Sequence, residues 1–138
     1  MKFEDNVPTA PFISLMYREH AKYINENVKE EDLSFGLHPI LIKAYLNDGI
    51  NQEELAKGLH LNESTITRNL KKLEDKGFVE RIKDKRKKII KVTGKGERIA
   101  RKVMDYDDMW DEKIRRNLTD EEYNNFIRTL RKISEDLI

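Results

Sequence analysis

The sequence predicts a mainly α-helical protein that carries one small β-wing. Two observations lead to this fold class. Between Asn51 and Gly77, two short stretches with helical spacing of apolar residues meet at a tight turn. Two stretches rich in β-branched residues follow and flank a run of cations, which is typical of a hairpin with a basic tip. Helical patterns lie on either side, so we expect a winged helix-turn-helix unit between N-terminal and C-terminal helices.

Capping residues set the bounds of the helix pair. Asn51 is placed to cap the first short helix, and Glu54 three residues later predicts a capping box. Asn62 is the expected cap of the second helix, which we expect to run to about Lys76. Gly77 then ends that helix as a C-cap glycine does. A helix held at an angle on another in this way can enter the major groove of DNA.

The second helix divides into an apolar face and a polar face. At about 100° of rotation per residue, Ile66, Leu70 and Leu73 fall in one narrow sector. Arg68 lies on the opposite face, where it can donate two hydrogen bonds to the O6 and N7 atoms of guanine. The alternative is an ordinary amphipathic helix with a hydrated face. The predicted DNA contacts of this helix are Ser64, Thr65, Thr67 and Arg68 for base edges, and Lys71 and Lys72 for phosphates.

The hairpin is expected to have strands at 78–82 and 88–92 and a tip between them. Asp84 is placed to pair with Arg86 and hold its guanidinium along the tip. Arginine favours a narrow minor groove because the potential there is more negative, so we expect Arg86 to contact the groove or the backbone. The alternative is a lysine-rich hairpin that merely blocks edge pairing. The predicted DNA contacts of the wing are Lys83, Lys85, Arg86, Lys87 and Lys88.

The N-terminal part is expected to begin with a loose arm, because Pro8 and Pro11 disfavour a helix. Apolar spacing then predicts a helix over residues 12–28. A connector over residues 29–36 leads to a second helix, which we expect to begin at about Pro39, a good first-turn residue.

The C-terminal part is predicted to form two long helices with apolar stripes. Thr93 can cap the first near Lys95, and Thr119 with Glu122 makes a capping box for the second. Large apolar residues such as Trp110 would stay partly exposed to solvent in a monomer. This expected exposure favours a homodimer over packing of the stripes within one chain. We expect an N-terminal arm and dimerisation helix at 1–36, a DNA-binding lobe at 37–96 and C-terminal dimerisation helices at 97–138.

Charge is unevenly placed along the 138 residues, whose net charge is only +1. The segment from Gln52 to Glu97 has 13 basic and 8 acidic residues, and from Arg68 to Lys88 alone the count is 10 against 4. A cation-rich segment in a near-neutral chain is what binding to a polyanion requires, and we expect that partner to be double-stranded DNA. A solvated, lysine-rich surface is the alternative.

Several classes of protein are disfavoured by composition. The chain has no cysteine, which excludes disulfides and thiolate metal sites. No apolar run is long enough to span a membrane, and the N-terminus lacks the features of a signal peptide, so a cytoplasmic protein is expected. His20, His38 and His60 are scattered, and no phosphate-binding loop or nucleophile elbow is present, so we expect no enzyme, metal or cofactor. A winged helix used for protein contact remains an alternative to DNA binding.

The central segment resembles the MarR (multiple antibiotic resistance regulator) family over about residues 50–97. The resemblance implies a homodimeric repressor whose terminal helices intertwine and whose two lobes bind an inverted-repeat operator. The stretch between Arg81 and Asp84 is shorter than is usual in the family, so we expect a stubbier wing. The matching motifs are Gln52-x-x-Leu55-Ala56-x-x-Leu59, Ser64-Thr65-Ile66-Thr67-Arg68, Leu73-Glu74-x-x-Gly77-Phe78-Val79-x-Arg81, Asp84-x-Arg86 and Val92-Thr93-x-x-Gly96.

A small effector is also implied, because many members of the family respond to anionic or phenolic ligands. Its pocket is expected where the helical region meets the DNA-binding lobe. A cation with nearby aromatic rings suits an aromatic acid, although a lone His or Tyr is more often an ordinary core or surface residue. The candidate ligand-binding residues are Tyr17, Arg18, His20, Phe35 and His38.

Overall fold

The computed structural model describes residues 2–28 and 33–138, and within them it has six α-helices and one two-stranded antiparallel sheet. A single 3-10 turn, Phe35–Leu37, precedes the second helix. The elements are α1 (Thr9–Val28), α2 (His38–Leu46), α3 (Gln52–Leu59), α4 (Glu63–Asp75), β1 (Val79–Asp84), β2 (Lys87–Val92), α5 (Gly94–Arg115) and α6 (Asp120–Leu137). The predicted fold class, mainly helical with a small β-wing, is confirmed.

The four predicted N-caps are all present. The Asn51 side chain accepts a hydrogen bond from the backbone N–H of Glu54, the third residue of α3, and Asn62 accepts from the N–H of Thr65, the third residue of α4. Thr93 caps α5 in this way, and at α6 Thr119 and Glu122 complete a reciprocal capping box. These caps confirm the helix starts that the sequence predicts for the last four helices.

Two local predictions at helix starts are wrong. α1 begins at Thr9 rather than at Phe12, because Pro11 falls in the first turn, where the missing N–H has no helical partner to lose. At α3 the Glu54 carboxylate accepts from the side-chain amide of Asn51 instead of from its backbone, so the predicted capping box there is not formed. The connector predicted over residues 29–36 lies partly outside the described residues.

The wing is longer in its strands and shorter in its tip than the sequence predicts. The ladder runs to Asp84 opposite Lys87, which leaves a two-residue turn in which Lys85 has a positive φ of 57°. Asp84 therefore faces Lys87 across the ladder. The ion pairs of the described residues do not include the predicted pair of Asp84 with Arg86. The turn closes tightly because one residue adopts the left-handed conformation, so the strands can continue pairing.

The core lies around α2, which contacts α3, α4, α5 and β2. The buried side chains of this core include Ile24 of α1 and Phe78, the residue just before β1. The loop before α3 also ties the wing to this core, since the Ile90 N–H donates to the carbonyl of Ile50 over 2.9 Å. The wing and the helix pair are thus held on one packed lobe.

The start of α5 lies directly on the end of the helix pair. A Cβ atom at Gly96 would fall 2.0 Å from the carbonyl oxygen of Phe78, so only glycine fits this contact. Nearby, the Thr93 hydroxyl donates to the Gly77 carbonyl over 2.6 Å, and the Lys95 ammonium donates to the Lys76 carbonyl over 2.9 Å. α5 is therefore coupled to the C-terminal end of α4.

α6 is the least covered element of the chain. None of its 18 residues, all of which are described, is buried. Apolar residues such as Ile133 of α6 and Ile13 of α1 stay more than half exposed. No described helix is both long and apolar enough to cross a membrane.

Candidate nucleic-acid interface

The polar face of α4 is exposed, as its rotation predicts. Ile66, Leu70 and Leu73 are fully buried against the core. Arg68 lies on the opposite side, and its Nη2 atom is 3.4 Å from the Thr65 hydroxyl. The predicted DNA contacts Ser64, Thr67, Arg68, Lys71 and Lys72 are exposed, and Thr65 is half-buried.

Hydroxyl groups near the start of α4 are held by neighbouring polar atoms. The Ser64 hydroxyl donates to Oδ1 of the capping residue Asn62 over 2.7 Å. The Thr67 hydroxyl donates to the carbonyl of Glu63, one turn earlier, over 2.8 Å. These bonds orient the hydroxyl oxygens on the exposed face.

The α3–α4 turn and its cross-helix contact hold the helix at its angle. His60 adopts a left-handed φ of 55° between α3 and α4, and the Leu61 N–H closes the turn on the Ala56 carbonyl over 3.0 Å. Gln52 then donates from Nε2 to the Thr67 hydroxyl of α4. The sequence predicted the turn but gave Gln52 no role.

A groove of about 230 Å³ joins the wing turn to the N-terminal ends of α3 and α4. The wing cations therefore lie beside the start of the helix whose polar face is exposed. Two carboxylates that the sequence analysis did not single out also line this groove and lower its positive charge. The lining residues are Asn51, Gln52, Glu53, Glu63, Arg86, Lys87 and Lys88. Lys83 and Lys85 are exposed on the hairpin but do not line it.

An ion pair fixes the base of the wing on α4. The Arg81 guanidinium donates to both Glu74 oxygens, over 2.9 and 3.3 Å, and the Arg81 backbone N–H donates to the same carboxylate over 3.2 Å. These hydrogen bonds lower the pKa of Glu74. The wing is thereby held at a set angle to the exposed face of α4.

A second candidate site lies between α1, α2 and α5. It is a mostly apolar cleft of about 310 Å³, and its polar lining comes from His20, His38, Lys43 and Asp107. His20 Nε2 lies 3.0 Å from Asp107 Oδ1, and His38 Nε2 lies 3.2 Å from the Leu33 carbonyl oxygen. Burial lowers the pKa of His38. The cleft offers apolar walls with few polar groups.

The structure brings together only some of the predicted ligand-binding residues. His20 and His38 line the cleft just described. Tyr17 instead lines a separate cleft of about 270 Å³ between α1, α5 and α6, and Arg18 is exposed and lines neither. The Phe35 side chain lies outside the described part of the structure. Lys43 and Asp107 were missed because they come from helices whose packing the sequence does not reveal.

A helix pair with an exposed cationic second helix beside a basic hairpin defines a winged helix-turn-helix protein. Residues 36–88 match the MarR family. The chain is 30% identical over 131 residues to the HTH-type transcriptional regulator BilQ of Clostridium symbiosum (strain WAL-14163), a match that covers 92% of this chain and 91% of that relative. The chain belongs to the MarR family, whose members are transcriptional regulators and not enzymes.

Solved structures share the fold over almost the whole chain. A crystal structure of MarR is 28% identical, with a TM-score of 0.83 over 99% of this chain and 95% of that one. The Staphylococcus aureus MepR–DNA complex is 21% identical, with a TM-score of 0.87 over 96% of this chain and 100% of that one. At 21% identity this second likeness is one of fold alone.

Proposed function

We propose that this chain is a homodimeric, sequence-specific transcriptional repressor that binds an inverted-repeat operator. The observation that carries the proposal is the groove joining the α4 start to Arg86 and Lys87, because one duplex can contact a helix and a wing so placed. The MepR–DNA complex supports it through a shared fold. A protein-contact module would be expected to have a neutral or acidic helix face, whereas α4 exposes Arg68, Lys71 and Lys72.

The contacts divide into those that read sequence and those that bind phosphate. The exposed side chains Ser64, Thr67 and Arg68 and the half-buried Thr65 come from the first turns of α4, the part of a recognition helix that reaches base edges. Phosphate contacts, which carry no sequence information, fall to cations farther from the groove floor. We assign them to Lys71, Lys72, Lys83, Lys85, Lys87 and Lys88, with Arg86 at the groove edge.

The dimer is proposed from the uncovered apolar surface of the terminal helices. α6 has no buried residue in the single chain, and Ile133, Leu137 and Ile13 are 51%, 78% and 60% exposed. A second copy would cover these stripes, since helices with an apolar face are stable when that face is buried. Residues 1–36 and 97–138 would then form the dimerisation region, and residues 37–96 the DNA-binding lobe.

We further propose that a small aromatic or anionic effector binds in the cleft lined by His20 and His38. Its apolar walls suit a ring, and Lys43 supplies a cation for a carboxylate. Because the cleft lies between α1, α2 and α5, an occupant would change how the lobe sits on the dimerisation helices. Calorimetry with salicylate-like acids tests this, and a panel that gives neither heat nor release from DNA would contradict it.

The salt dependence of duplex binding tests the proposed interface. Lys87→Ala removes a wing cation, so its affinity for all duplexes should fall and the slope of log K against log salt should decrease by about one. Lys132→Ala is the matched control, because Lys132 is an exposed cation of α6 outside the lobe. Equal salt slopes for both variants and the unmodified chain would contradict the assignment of the wing.

A further inference from the structure

Gln52 is the first residue of α3, and its side chain forms a hydrogen bond with a residue of α4, the proposed recognition helix. Its carboxamide nitrogen donates to the Thr67 hydroxyl, fifteen residues later in the chain. The carboxamide oxygen is buried and has no hydrogen-bond partner among residues 2–28 and 33–138. The bond to Thr67 is therefore what orients this side chain.

The hydrogen atoms at this contact can be assigned from the partners alone. A backbone carbonyl only accepts, so the Thr67 hydroxyl must give its single hydrogen to the Glu63 carbonyl, 2.8 Å away. The Gln52 partner must then be the donor, which places Nε2 and not Oε1 against Thr67. The hydroxyl has two lone pairs, and one of them is occupied by Gln52.

The remaining lone pair is the group that Thr67 offers to a ligand. Thr67 is exposed, so its oxygen can be reached from outside. Rotation of the hydroxyl to donate outwards would break its bond to Glu63 and disturb the one from Gln52. Ser64 differs, because a single bond to Asn62 on the same helix holds its hydroxyl and none comes from α3.

We propose that Gln52 is a positioning residue for sequence readout, which fixes Thr67 as a hydrogen-bond acceptor for an exocyclic amino group in the major groove. Only adenine N6 and cytosine N4 present such a donor there, whereas guanine and thymine present acceptors at the corresponding edge. The inference rests on the proposed DNA binding and adds the base chemistry that one position of the recognition helix selects.

The test removes single amino groups from a bound duplex. After a preferred duplex has been selected from a random pool, purine replaces each adenine and pyrimidin-2-one replaces each cytosine in turn. The unmodified chain should lose about three- to tenfold in affinity at one base pair of each half-site, as for one lost hydrogen bond. Thr67→Val and Gln52→Met should both be insensitive at that base pair, and the double variant should behave like either single one.

Matched variants separate readout from folding. Thr67→Ser keeps the hydroxyl and should keep the sensitivity to loss of the amino group. Gln52→Met preserves the length of the side chain, and the midpoint of its thermal unfolding should lie within a few degrees of that of the unmodified chain. Its salt slope should also be unchanged.

Three other outcomes would contradict the positioning role of Gln52, the acceptor role of Thr67 or the proposed function. If Gln52→Met retains the amino-group sensitivity, or loses it at a different base pair from Thr67→Val, the positioning role is wrong while DNA binding stands. If the unmodified chain shows a preferred duplex but no amino-group dependence that Thr67→Val abolishes, the acceptor role is wrong. If it shows no preferred duplex, the proposed function fails as well.

Discussion

Two arginines of the lobe have different environments and so different roles. Arg81 is half-buried and forms an ion pair with Glu74, which holds the wing on α4. Arg68 is exposed on the polar face and makes one long contact to Thr65, so its guanidinium can reorient towards a base. The ion pair of Arg81 is therefore structural, whereas Arg68 remains available for its proposed contact with a base.

Arg68→Ala should therefore weaken binding to the preferred duplex by ~1–3 kcal/mol and relax specificity at one base pair, because the two hydrogen bonds to guanine are lost. Fluorescence anisotropy with preferred and random duplexes measures both effects. An equal loss on both duplexes would instead make Arg68 a phosphate contact.

His38 should make stability depend on pH. Burial holds its pKa below the ordinary value of 6.5, so the unfolded chain takes up the proton first as pH falls. The contribution of neutral His38 to stability is full above about pH 6.5 and is lost as pH falls through the lowered pKa.

Urea unfolding between pH 5 and 8 measures this dependence. His38→Gln should flatten it, and His60→Gln, an exposed control in the α3–α4 turn, should not. A slope that survives in His38→Gln would assign the effect to another group.

Contacts between elements set how the lobe joins the terminal helices. The start of α5 lies against the residue before β1, and Thr93 and Lys95 bond to the end of α4. The start of α5 is therefore in direct contact with the C-terminal end of α4 and the base of the wing. This contact depends on a glycine at one position.

Gly96→Ala should destabilise the protein by about 1–3 kcal/mol, because the added carbon would overlap the Phe78 carbonyl and force the backbone apart. Gly94→Ala, two residues earlier, is the control, since a carbon there has no heavy atom within 4 Å. Equal midpoints for both variants in urea would contradict this account of the contact.

Sequence patterns within one helical turn predicted most of the helices and strands. They did not predict the contacts between side chains of different helices. The caps at Asn51, Asn62, Thr93 and Thr119 depend on residues within one turn, so sequence spacing was sufficient. The exposed face of α4 followed from helical rotation alone. The bond from Gln52 to Thr67 and the pairing of His20 with Asp107 depend on how separate helices cross, which spacing does not encode.

At the scale of the whole molecule, we propose that tight binding to a duplex and burial of the apolar stripes both require a dimer. Two tethered recognition helices gain affinity for a duplex over one, provided that both half-sites lie within reach. The uncovered apolar stripes of α1, α5 and α6 are the surface that a partner copy would bury.

Sedimentation at micromolar concentration should give twice the chain mass of 16.4 kDa. Ile133→Asp places a charge on the α6 stripe and should shift the protein to monomer, with loss of tight duplex binding. Lys132→Asp, its exposed neighbour, should remain dimeric. A clean monomer for the unmodified chain would contradict the dimer.

The most direct measurement of the central claim is selection of bound duplexes from a random pool by the ligand-free protein at moderate salt. The account predicts a palindromic consensus whose half-sites are centred about one helical turn apart, as a twofold dimer of recognition helices requires. Enrichment of no sequence, or of a single unpaired half-site, would contradict it.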